Sequence, residues 1–506
     1  MNRRDFLKFA GLGGTALYVP ATFTLDALLQ RSWAASPDYD AAEVSVTAPL
    51  PQVINIFLYG GPSELSGNLT QIEDIAAASQ SSYANNIRGI LATTADDPED
   101  GQITPRGFWR DAGGQAMEFL VNRGYMTVYR TMVKRVNDSR SHRESIFQAQ
   151  KGTTDVEGRP GIGTVLAQLL SRNAGQYLAA LGKGSLGELI LPFVSLEGET
   201  TFFAPDPGAE LDLGLRYQTL GTDLENPFAR RMEPIFDQLV EAVNGTQGRF
   251  SRVKLALEAR AQLAAQIGDI GARFEAPLVF SQAAIDPEDL AEDFQDNGDG
   301  TVTLQYPNNR FAEQIRAAVT LAVENPDTLF ISAGNVGLGG WDDHNNGCDR
   351  YAERMQDLFE TLRVACKHIR YADGTTPGGV ARSTGNILIN VYGEFGRRCN
   401  LNGSCGWDHG NLQNLFTLMG AAVRPAGALG KVVGRTRRSG TPGTNNQVQV
   451  PAPDSYEFEP AAVAATIYRA FGVLNPEVLT ADPVLNPAGS GPIDQTVAGE
   501  PPLFSA

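Results

Sequence analysis

The sequence predicts an α/β fold in which a central, mostly parallel sheet carries helices on both faces. Short continuous apolar runs recur along the chain, as strands buried on both faces require. Segments of helical period separate these runs, and strand and helix in alternation imply a parallel sheet covered on both sides. Composition agrees: of 506 residues, 42% are hydrophobic and 20% charged, which supplies a large core and argues against disorder. The formal charge of -17 argues against a nucleic-acid partner, because phosphate binding needs a basic face.

The chain opens with Asn2, Arg3, Arg4, Asp5, Phe6, Leu7 and Lys8, and continues in a weakly apolar, Gly-containing stretch broken by Pro20. Paired arginines ahead of Phe and Leu, with less than the roughly 20 apolar residues of a membrane span, resemble a twin-arginine export signal. Small residues around Ser32 and Ala34 place cleavage after Ala34, with an uncleaved anchor as the alternative. Residues 1–34 are therefore expected to engage the twin-arginine translocase. The mature chain is expected in the periplasm or outside the cell, without a transmembrane span.

After a linker over 35–52, Val53 to Tyr59 (VINIFLY) reads as the first buried strand. Met126 to Val133, Leu189 to Leu196, Thr328 to Ser332, Ile387 to Tyr392 and Leu415 to Met419 read as further strands. Helical stripes run through Val253, Leu257, Ala264 and Ile267 and through Phe311, Ile315, Ala318 and Ala322. A helix is predicted from Asp349 to Ile369, and His368 within it is read as structural. The Asp296 to Gly300 run resembles a calcium loop, but Gln295 and Tyr306 stand where its first and last carboxylates belong, so a hairpin turn before Thr301 is expected. Pro460 suits the start of a last helix, Val463, Ile467 and Phe471 form its stripe, and Gly472 can close it. Residues 62–110, 200–235, 373–385 and 434–454 are expected loops. Residues 53–480 read as one domain, and 481–506 as an irregular tail.

The chain has only four histidines, and three of them follow predicted strands beside acidic or small residues. Ligands of open parallel sheets bind outside the carboxyl ends of the strands, where loops converge. Gly339 to Asn346 reads GGWDDHNN, so Asp342 and His344 can supply charge and a directional lone pair to a cation. Glu394 ends the next strand and is followed by Gly396, Arg397 and Arg398, a carboxylate beside guanidiniums able to steady an anion. Asp408 and His409 lie in a WDHG loop, and His142 follows the strand ending at Val133.

The arginine signal, the GGWDDH loop, the YGEFGRR strand end and the WDHG loop together resemble the exported bacterial family catalogued as domain of unknown function 1501, related to the alkaline phosphatase and sulfatase superfamily. The resemblance implies an alkaline-phosphatase-like α/β fold with a divalent metal ion (Zn, Ca, Mg or Mn) at the strand ends. Its implied ligands are Asp342 and His344, then Glu394, then His409 with Asp408, and His142 is a further candidate. An alternative register puts Asp408 and His409 on the superfamily's adjacent Asp and His. Where that superfamily carries an Asp after the first strand, this chain reads Gly60, Gly61, Pro62, Ser63, Glu64, Leu65, Ser66. Glu64 could replace the missing ligand, with Ser63 or Ser66 as a metal-activated hydroxyl and Arg397 holding the anion, or the segment is simply a Pro-containing turn. The expected activity is hydrolysis of a small phosphate or sulfate ester. The alternative is a non-catalytic protein that binds or assembles an envelope component.

Cys348 and Cys366 would stand at the two ends of one helix, too far apart to pair. Cys399 and Cys405 could pair with each other, or either could cross to Cys348.

Overall fold

Every residue of β1 (Gln52–Leu58) is buried, the polar Gln52 and Asn55 included, as a mostly apolar strand covered on both faces requires. It runs through the middle of the sheet in a computed structural model that describes residues 37–69, 103–153, 158–222, 276–345, 347–375, 381–398, 402, 404, 406–439, 448–480 and 489–503. The export-signal segment, the 253–267 stripe, Cys399 and Cys405 lie outside these residues, as does the Cys348 side chain. Among the described residues, Cys366 is free and buried, and no helix is long and apolar enough to cross a membrane.

In chain order, α1 (Gly114–Asn122), β2 (Met126–Val133), α2 (His142–Lys151), α3 (Ile162–Arg172) and α4 (Ala174–Leu181) precede β3 (Phe193–Ser195) and β4 (Gln218–Thr219). A small antiparallel sheet follows, built from β5 (Leu278–Ser281), β6 (Phe294–Asp296) and β7 (Thr301–Leu304). Then come α5 (Arg310–Glu324), β8 (Phe330–Ala333), α6 (Gly347–Ala372), β9 (Ile387–Gly393), β10 (Leu412–Met419) and β11 (Val432–Val433). A hairpin of β12 (Thr436–Ser439) and β13 (Val448–Pro451) precedes α7 (Ala461–Ala470).

The main sheet has eight strands in the order β11-β2-β10-β9-β1-β8-β3-β4. It is parallel except at β10, which runs antiparallel to both β2 and β9. Alternate residues of β1 feed two cores. Ile54, Ile56 and Leu58 pack with α1, α5 and α6, while Val53 and Phe57 pack with α3 and α7. The sheet is thus covered on both sides, the mixed α/β, mostly parallel arrangement expected from the sequence.

Local chemistry explains where the elements depart from the sequence reading. Pro192 has no amide hydrogen, so the apolar 189–196 run yields a strand only from Phe193 onward, and the Pro192 carbonyl accepts from Leu329 and Phe330. β10 starts three residues earlier than its apolar run, because Gln413 and Asn414 are buried and bonded to Gly393 N and to the Glu64 carbonyl. The hairpin turn before Thr301 forms, with Asp296 and Asp299 accepting from the amides of Gly298 and Thr301. Part of the expected 434–454 loop is strand, the hairpin of β12 and β13.

The reversed direction of β10 matters most for function. It follows β9 without a crossover, so its first residue lies on the same rim as the carboxyl ends of β2, β9, β1 and β8. The loops after β1, β2 and β8 and the single connection from β9 to β10 therefore converge there.

Candidate metal centre

Asp342 is the hub of that rim. Its Oδ1 lies 3.1 Å from His344 Nε2, 3.5 Å from His142 Nε2 and 3.5 Å from His409 Nε2. The Nε2 atoms of His344 and His409 are 2.9 Å apart. His142, Asp342 and His409 each offer a ligand atom within 4.8 Å of one another.

The opposite nitrogen of each ring faces an acceptor. His142 Nδ1 is 3.0 Å from Glu394 Oε2, His409 Nδ1 is 2.8 Å from the Arg140 carbonyl, and His344 Nδ1 is 3.5 Å from Asp408 Oδ1. A carbonyl can only accept, so His409 carries its proton on Nδ1 and presents a lone pair at Nε2. The carboxylates behind His142 and His344 favour the same tautomer. This is the outer arrangement that orients metal-bound imidazoles. Three inward lone pairs and one carboxylate oxygen suit a divalent cation, so the donor set fits such an ion.

Electrostatics point the same way. Burial works against the Asp342 carboxylate, but the hydrogen bond and charge of Arg397, with His344 and His142, outweigh it and hold its pKa below the ordinary value. Burial and then the Arg397 charge lower the His409 pKa, keeping the imidazole neutral as a ligand must be. Glu394 is also buried, which raises its pKa, and its second oxygen accepts from the Gly60 amide.

The loops are locked from below by groups whose role the sequence did not disclose. Tyr351 of α6 packs edge-on against Trp341 and Trp407, the tryptophans preceding Asp342 and Asp408, with ring centroids 5.9 and 5.3 Å away. Its hydroxyl donates to the Ser63 carbonyl and accepts from Ser66 N, fixing the turn after β1 to the same helix. The repeated Trp-Asp pair was the available signal for this aromatic clamp. Asp343 turns away from the centre and pairs with Arg354 at 3.1 Å. Gly60 lies at φ +105, and a Cβ there would meet Asp342 N at 2.4 Å, so only glycine permits this approach of β1 to the ligand loop. Arg398 N donates to the Asp408 carbonyl and Gly410 N to that of Gly396, extending the β9–β10 ladder and carrying His409 over Glu394.

No protein-family model matches this chain. No curated protein matches it either. Among solved structures it is similar to the crystal structure of Ps i-CgsB in complex with k-i-k-neocarrahexaose, with 11% identity and a TM-score of 0.33 over 86% of this chain and 75% of that one.

The remaining candidates from the sequence take other places. Glu394 and Asp408 stand behind histidines, Glu394 to orient His142 and Asp408 to face His344. The Arg397 guanidinium is fully buried and committed: Nε donates to the Gly61 carbonyl, Nη1 to Trp407, and Nη2 to Gly60, Trp341 and Asp342 Oδ1. With its donors turned onto backbone carbonyls, Arg397 braces the loops and is not free to hold a substrate anion. Ser66 is fully buried and donates its hydroxyl to the Ala112 carbonyl, so it does not face the cluster. Ser63 is buried as well, its Oγ 3.4 Å from Leu65 N. Glu64 is buried beneath Arg397, whose amide donates to Oε2 at 3.1 Å, while Oε1 has no partner among the described residues. It is not in the group of converging ligand atoms.

Two expected results follow from these placements. Glu394→Gln keeps the shape behind His142 but removes its charge, and is expected to weaken divalent-ion affinity by roughly 10- to 100-fold without loss of fold, read by competitive chelator titration. Burial pushes the Glu64 carboxyl up to about 8, so the folded protein favours its protonated form. That contribution to stability is present in full below the unfolded carboxyl value and is lost as pH rises through about 8. Denaturant unfolding from pH 5 to 9 is expected to show wild-type stability falling by on the order of 3 kcal/mol, and Glu64→Gln should flatten the profile.

Proposed function

We propose that this chain is an exported, metal-binding hydrolase acting on a small phosphate or sulfate ester, in keeping with the resemblance of its motifs to the alkaline phosphatase and sulfatase superfamily. The observation that carries the reading is the set of three imidazole Nε2 atoms gathered around Asp342 Oδ1. His142, His344, His409 and Asp342 would hold the ion. Three imidazoles and one carboxylate favour Zn over the oxygen-seeking Ca and Mg. A divalent ion in this position supplies Lewis acidity for an ester oxygen and lowers the pKa of water.

The protein's own groups do the rest. The Arg140 carbonyl holds the His409 proton on Nδ1, and Glu394 does the same for His142. Arg397 keeps Asp342 ionised and aimed inward, and Tyr351 with the two tryptophans fixes both ligand loops. Because Ser63 and Ser66 are buried, the reading assigns the attack on the ester to water. The same burial favours a second reading, a non-catalytic envelope protein that binds its metal for structure or recognition.

Elemental analysis of protein recovered from the periplasm, with turnover assays on p-nitrophenyl phosphate and p-nitrophenyl sulfate, separates the readings. About one ion per chain with turnover that disappears in His409→Ala supports the hydrolase. A bound ion without turnover supports the envelope protein, and no retained divalent ion defeats the hydrolase. Export is tested by replacing Arg3 and Arg4 with Lys, which is expected to leave the protein in the cytoplasm.

A further inference from the structure

Among the described residues, no carboxylate pairs with Arg424. Its Nε is buried without a partner, and Nη1 has only Gln495 Oε1 at 3.4 Å. Burial lowers its pKa to about 10, a sign that the cation is poorly compensated. Two more buried donors without partners among the described residues, the Tyr129 and Thr417 hydroxyls, line the same recess of about 30 Å3 between the sheet and α7. Three orphaned donors around one small space call for an explanation, since buried polar groups are nearly always satisfied.

Leu388, Leu415, Val463 and Ile467 supply apolar walls to the recess, beside the polar Asn390, Thr466 and Gln495. A carboxylate head fits such a volume, which exceeds the minimum for a single water. The recess shares Val423, Arg424, Thr466 and Ile493 with an open cleft of about 510 Å3 that also reaches Pro49 and Pro492. That cleft lies within the size range of small-molecule sites. Leu388 and Asn390 place the recess toward the start of β9, whereas Glu394 follows its end. At about 3.3 Å per residue, Asn390 and Glu394 are roughly 13 Å apart along the chain.

We propose that recess and cleft form a second binding site, separate from the metal centre, for a small carboxylate with an apolar body. The carboxylate sits against Arg424 and the Tyr129 and Thr417 hydroxyls, and the apolar body lies in the cleft.

Calorimetric titration of the full chain with octanoate and with acetate tests this. Octanoate is expected to bind saturably at one per chain and at least about tenfold more tightly than acetate, the difference coming from apolar burial. Arg424→Met is expected to weaken octanoate at least about tenfold. Should that variant fail to fold, Gln495→Glu decides the matter: its carboxylate beside Nη1 supplies the missing partner internally, so octanoate affinity should fall by a similar factor while the melting temperature holds or rises. No saturable octanoate binding to the wild type, acetate bound as tightly as octanoate, or undiminished affinity in Gln495→Glu overturns the proposal.

Discussion

Asp342→Ala is expected to reduce divalent-ion occupancy from about one per chain to less than about a tenth after dialysis, because Asp342 supplies the only negative charge among the four inward donors. Asp342 is half exposed, and Arg397 keeps its four backbone acceptors, so the variant should remain folded. His409→Ala should have a comparable effect by removing the lone pair that the Arg140 carbonyl enforces. The pH dependence of retention adds a sign. The lowered His409 pKa means that this imidazole stays deprotonated further into acid than an ordinary histidine. Ion loss through His409 should therefore begin below the usual histidine range. Elemental analysis across pH, with circular dichroism to confirm the fold, checks both expectations. Unchanged occupancy in Asp342→Ala removes the metal centre from consideration.

Arg397→Met is expected to destabilise the protein by about 3–5 kcal/mol, the range for breaking a buried ionic and hydrogen-bonded network by removing one partner. The carbonyls of Gly60, Gly61, Trp341 and Trp407 would each lose a charged donor and stay buried. Chemical denaturation measures this directly. A side chain held ready for a substrate anion would behave otherwise: stability would hardly change, and a weaker substrate affinity would be the main result. The two roles attached to the same residue are thus separated by one unfolding curve.

Much of the fold was legible because its information is local. Continuous apolar runs marked β1, β2, β8 and β9 within a few residues, and the helical stripe from Phe311 placed α5. The direction of β10 was not legible, since strand polarity depends on which neighbour the chain returns to and leaves no mark in an eight-residue composition. At the site, the sequence could nominate His142, Asp342, His344 and His409 because acidic and imidazole groups stood after strands. It could not rank Glu394 as a residue behind a ligand, because an inward oxygen and one 3.0 Å behind a ring nitrogen come from the same side chain. Burial was equally hidden: Ser66 and Arg397 look reactive as letters, yet their partners are carbonyls contributed by distant segments.

His409 arrives through the turn just before β10, far along the chain from His142. A growing polypeptide therefore lacks a complete cage until synthesis has passed that turn and the segment has folded back against β9. Occupancy by a cation would certify a chain folded at least through that turn, and fragments ending short of residue 409 should hold none.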